Sequence, residues 1–167
     1  MKRIEFLVVL IVFFFLQAVL AGRMSIGSIS PDFPLLIVVY FAVHKNSFQG
    51  AILGFVVGLL QDLFNPSFLG LNAFTKTLTG YGLGLAGSKT ERDNWLFLLA
   101  LFGVAAMAHD FVYLLIFTGL HPGKFFVMWV TVSIPSAVYT AVVGVVVHAL
   151  VSYSATEVVR YLGKARS

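Results

Sequence analysis

Apolar residues run through this chain in six blocks, at about 4–21, 31–45, 48–64, 68–87, 95–120 and 126–153, with polar residues gathered between them. These blocks are too long and too continuously apolar for half-buried strands. Most approach the roughly 20 residues an α-helix needs to cross a bilayer. The pattern predicts an all-α membrane protein, a six-transmembrane-helix bundle forming one domain over residues 1–167. The second and third blocks form a tight hairpin around His44, Lys45 and Asn46. Pro31 and Pro34 open the second block, where the first helical turn accepts proline. Asn65-Pro66-Ser67 reads as the turn between the third and fourth. At about 15 residues, the second block spans roughly 22 Å. It either thins the bilayer around it or sits inside the bundle.

Composition agrees with this pattern. The 167 residues are 59% hydrophobic and only 11% charged, with mean hydropathy +0.96, where a soluble domain carries about 25% charge. Such a chain cannot cover a water-facing surface with polar groups. The net charge of +4 comes from loop and tail Lys and Arg and is no nucleic-acid signal. Lys2, Arg3, Lys45, Lys89, Arg92, Arg160, Lys164 and Arg166 fall on one side of the predicted membrane. Arg23 and Lys124 fall on the other. This positive-inside bias places both termini in the cytoplasm, as an even number of spans requires. Trp95, Trp129 and Tyr153 fall near the predicted interfaces, as aromatic belts do. The first block, preceded by Lys2 and Arg3, resembles a signal peptide in its flanks. Its apolar run is long for a cleaved signal, which favours a retained helix. Cysteine is absent, which excludes disulfides and thiolate chemistry.

Polar groups inside the blocks are costly, since a charge near hydrocarbon costs about 2.5–3.5 kcal/mol on insertion scales. Asp62, Asn72, Lys76, His109, Asp110 and Gln17 all fall in the outer half of their spans when position is converted to depth. Lys76 lies roughly 12 Å and Asp110 roughly 15 Å below the outer ends of their helices. Similar depth predicts that Lys76 pairs with Asp110, with Asp62 in reach if the lysine stem snorkels. One reading of the cluster is a structural ion pair that sets helix register. The other is a substrate pocket or partner site opening outward.

Gly50, Gly54, Gly58 and Asp62 recur every four residues and share one face of the third helix. Gly80 and Gly84 make a second small face on the fourth. Such faces let another backbone approach closely, either inside the bundle or from a partner's transmembrane helix. Gly70 would permit close packing at the start of the fourth helix. His44 and His121 read as loop residues and His148 as interfacial. His109 and Asp110, adjacent on a helix, diverge by about 100° and do not form a metal pair. No zinc-protease, nucleophile-elbow or phosphate-loop motif is present, so no catalytic, cofactor or metal residue is assigned.

The segment G-F-x-x-G-L-L-x-D from Gly54 to Asp62, followed by L-G-x-x-A at Leu69 to Ala73, resembles the MreD family of bacterial rod-shape-determining membrane proteins. Pro31-Asp32 opening a span with Val38, Val39 and Tyr40, and Gly80-Tyr81, look similar too. The resemblance covers roughly residues 30–87 by motif; Lys76 and Asp110 lie outside that motif. It implies a non-enzymatic subunit of the cell-elongation machinery in the cytoplasmic membrane. Such a subunit binds the bitopic protein MreC and helps organise the peptidoglycan synthase of RodA and a class B penicillin-binding protein, with MreB beneath. It also implies a fold similar to the substrate-binding subunits (S-components) of energy-coupling-factor transporters, and leaves room for a homo-oligomer. On this reading partners dock along an exposed, charge-free groove. The alternative is a vitamin-like substrate-binding subunit of a transporter, with an outward cavity lined by Gln17, Asp62, Asn72, Lys76 and Asp110. A proton-coupled carrier using His109 and Asp110 is disfavoured, because the inner half offers no continuing ionisable path.

Overall fold

The computed structural model describes residues 29–64, 68–86 and 94–164, with side chains described as far as residue 150. The first apolar block with Gln17, the Asn65-Pro66-Ser67 turn and most of the loop cations lie outside the described residues. The described chain is helical: α1 (Phe33–His44), α2 (Ser47–Phe64), α3 (Leu71–Ala86), α4 (Trp95–Phe117), α5 (Pro122–Met128), a π-helical turn (Trp129–Ser133) and α6 (Ile134–Lys164). Among the described residues, three stretches are long and apolar enough to cross a membrane: Ser47–Phe64, Trp95–Phe117 and Pro122–Leu150. The helix Phe33–His44 is apolar but shorter.

That short helix is the centre of the molecule. Nine of its residues, from Phe33 to Val43, are buried. Apolar on every side, it needs protein on every side. Phe33, Leu35, Leu36 and Val39 pack with Leu98, Phe102, Ala105 and Ala106 of α4 and Ala137 and Ala141 of α6. Ile37 and Val38 pack with Leu53 and Val57 of α2. Of the two sequence alternatives for this segment, the structure takes burial inside the bundle. Asp32 caps its start, accepting from the Leu35 amide at 2.9 Å. His44 ends it, correcting the expectation of a loop position. Its Nδ1 lies 2.7 Å from the Tyr40 carbonyl and its ring stacks on that of Tyr40 at 4.1 Å. His121 does fall between helices, at the N-cap of α5.

The π turn has a local cause. Pro135 has no N–H, and its ring would press on the carbonyl one turn earlier. The chain widens there, and the Ile134 amide bonds to the Trp129 carbonyl, five residues back. The helical run is unbroken from 122 to 164, with α5 and α6 joined through the π turn. The outer faces of α2, α4 and α6 are apolar: Phe48, Phe55, Val104, Phe111, Val138, Val142 and Val146 are all exposed. An apolar surface this extensive suits acyl chains and not water.

Candidate functional site

The glycine stripe of α2 lies against α3, not against an open surface. An added Cβ at Gly50 would meet the carbonyl oxygen of Gly80; at Gly54, that of Lys76; at Gly58, that of Asn72. On the opposite helix, Gly84 meets the backbone of Ser47. Each step of four along α2 therefore meets a step of four backwards along α3. The two backbones run antiparallel at a distance only glycine allows.

Asp62 is the next step of the same stripe. The register carries it past the last partner on α3 and onto the open N-terminus of that helix. Its Oδ2 accepts from the amides of Gly70 at 2.9 Å and Ala73 at 3.0 Å. Its Oδ1 accepts from the Asn72 amide at 3.1 Å and from Asn72 Nδ2 at 2.9 Å. Amides without an intrahelical partner and the positive end of the helix dipole hold a carboxylate that is 1% exposed. Gly70 turns the chain with φ +94°, a conformation that favours glycine. Ala73 is buried beneath. The spacing from Gly54 to Asp62 and from Leu69 to Ala73 thus has one physical origin, a clamp between two helices. Asp62→Asn puts a donor where an acceptor must face buried amides. It is expected to cost about 2–3 kcal/mol of stability, against about 1 kcal/mol for Asn72→Ala, which removes a single bond. Thermal unfolding of the purified variants in one detergent measures both; equal losses would contradict the clamp.

Lys76 does not pair with Asp110, nor with Asp62. It is fully buried, and its Nζ lies 2.6 Å from Asp32 Oδ2. It also lies 3.2 Å from His109 Nε2. The other imidazole nitrogen, Nδ1, lies 3.0 Å from Asp110 Oδ1. The depth argument placed the groups at a common level but took no account of direction. His109 is on the face of α4 turned to α3, and Asp110 is one residue further round. The result is a chain of four groups, Asp32–Lys76–His109–Asp110, drawn from the start of α1, from α3 and from α4. A fourth element joins through the Asp32 amide, which donates to Thr140 Oγ of α6 at 3.1 Å.

Asp32 joins this cluster although in the sequence it marks only the opening of a span. An Asp ahead of Pro34 and an apolar run is an N-cap signature, but only one carboxylate oxygen is used for capping. The other was free to take Lys76, and only the fold shows that.

Beside this network is a cavity of about 520 Å³, open at one side. Asp32, Gln61, Asn72, His109, Asp110, Tyr113 and Ser133 are among its walls, while Asp62 and Lys76 are not. Of the cavity residues expected from sequence, the structure brings Asn72 and Asp110 to it. Gln17 lies outside the described residues. A second hollow, about 740 Å³, runs along the outside between α4 and the joined α5–α6 helices, lined by apolar residues including Gly103, Val104, Ala137, Val138 and Ala141.

A family model described as rod shape-determining protein MreD matches residues 1–153. Comparison with curated proteins and with solved structures finds no match.

Proposed function

Because this chain belongs to the MreD family of rod shape-determining proteins, we propose that it is a non-enzymatic scaffold subunit of the cell-elongation complex. In this role it binds MreC and helps organise the RodA and class B penicillin-binding protein synthase, with MreB reached indirectly. The reading extends to a six-span bundle similar to an energy-coupling-factor S-component, with both termini in the cytoplasm. The block at 4–21 supplies the further span, and self-association is compatible with it.

The observation that supports a scaffold is how the helix contacts are divided. The small-residue stripe of α2 and the charges of Asp62, Asp32 and Lys76 are engaged within the bundle. The charge-free hollow between α4 and α6 is left facing outward. Its small residues Ala100, Gly103, Ala108, Ala137 and Ala141 would let a single apolar helix approach closely. We assign the membrane helix of MreC to this hollow. A photo-crosslinking residue at Val104 or Val138 in growing cells is expected to capture MreC. The same residue at Phe55, exposed on the opposite helix pair, is expected not to. Capture from Phe55 alone, or from none of the three, would overturn the assignment.

A further inference from the structure

We infer that the cavity beside the four-group network binds a small organic cation, with its ammonium seated on Asp110. This rests on the geometry of the cavity and is independent of the scaffold reading.

The argument starts from proton positions. Lys76 Nζ and His109 Nε2 are 3.2 Å apart, and two N–H groups cannot point at one another, so one nitrogen donates and the other accepts. With His109 Nδ1–H donating to Asp110 Oδ1, either arrangement leaves Lys76 and His109 with one positive charge between them. They are flanked by two carboxylates, so with both ionised the network carries one negative charge in excess. The excess is not spread evenly. Asp32 has both oxygens engaged, Oδ1 by the Leu35 amide and Oδ2 by Lys76. Asp110 has Oδ1 engaged by His109, and its Oδ2 has no partner among the described residues. Its side chain is 26% exposed, and Asp110 lines the cavity. The uncompensated charge therefore has an address.

Independent features point to the same ligand class. Gln61, another wall residue, has its Oε1 buried without a partner among the described residues. That is an acceptor awaiting a donor, and a buried acceptor left unmatched is costly. The stacked rings of Tyr113 and Phe117, 5.8 Å apart, also face the cavity and offer π surface to a cation. No lysine or arginine is among the described residues that line it, which favours a cation over an anion there. A volume of about 520 Å³ falls in the range of small-molecule sites, roughly 300–1,000 Å³. It is more room than one partner side chain would fill. Ionisable groups at membrane depth that face a cavity mark ligand or ion sites more often than lipid contacts.

The test uses the full chain in lipid nanodiscs and three probes of one shape: phenethylammonium, 2-phenylethanol and 3-phenylpropionate. Binding is read by calorimetry. Phenethylammonium is expected to bind about tenfold or more tightly than the alcohol, and the carboxylate not at all. Asp110→Asn is expected to remove most of that preference, and Lys45→Ala, at the far end of α1 from Asp32, to leave it intact. Equal binding of the amine and the alcohol, or a preference that survives Asp110→Asn, would overturn the inference. If Asp110→Asn does not fold, Gln61→Leu serves instead: a several-fold loss for the amine supports the site, and unchanged affinity rejects it. A chain that crosslinks MreC yet ignores the amine would reject this inference alone.

Discussion

Lys76→Met is expected to destabilise the protein by about 3 kcal/mol, the lower end of the range for breaking a buried ion pair. The lower end applies because Asp32, left without its ammonium, keeps 22% of its side chain exposed to the cavity and retains the Leu35 amide. Adding Asp32→Asn to Lys76→Met is expected to recover about 2 kcal/mol of that loss. Asparagine is as good an N-cap as aspartate, so the double variant keeps the start of α1 while removing the orphaned charge. A double-mutant cycle by chemical unfolding in mixed micelles yields the coupling energy directly. The same cycle between Lys76 and Asp110 should return a smaller value, since the two act on each other only through the His109 ring. A Lys76–Asp110 coupling as large as that of Lys76–Asp32 would mean the ion pair has been placed on the wrong carboxylate.

Gly54→Val is expected to cost at least about 3 kcal/mol, at or beyond the upper end of usual overpacking losses. The reason is the nature of the obstacle. The first side-chain carbon at Gly54 would land on the Lys76 carbonyl and the Thr77 amide, which belong to a helix backbone and cannot rotate away. Relief requires α2 and α3 to part, and parting them draws Asp62 off the amides it holds. Gly82 provides the control on the neighbouring helix. Nothing lies within 4 Å of its added carbon, so Gly82→Ala is expected to be neutral or to stabilise by about 0.5–1 kcal/mol through helix propensity. Melting temperatures of the two variants, read side by side, decide the point. Comparable losses would show that glycine is needed at both places for some reason other than close approach.

Together these variants separate two kinds of cohesion in the molecule. Between α2 and α3, shape holds the helices together, and the Asp62 carboxylate closes one end. Among α1, α3 and α4, a charged network adds to the apolar packing of α1 on α4 and α6, and its last oxygen is open to the cavity. The first kind tolerates no added volume, and the second is weakened when Asp32 loses the Lys76 ammonium.

Sequence alone settled what rests on periodicity and on transfer energies. Apolar blocks identify membrane helices because lipid leaves the backbone no other partner. A glycine every fourth residue, ending on Asp62, defines one helix face because four residues are about one turn. An unbroken apolar helix of 12 residues is legible as an element, but its burial at the centre depends on neighbours that its own residues do not name. The glycine face was equally silent about its occupant, since an internal helix and a foreign one look alike from one side. The ion pair shows the limit most clearly. Depth along an axis can be counted from residue numbers, whereas the direction a side chain takes depends on how each helix is rotated in the bundle. That rotation is set by packing across α1, α3, α4 and α6 at once. It turned His109 toward Lys76, left Asp110 at the cavity, and brought in Asp32 from the end of a neighbouring helix.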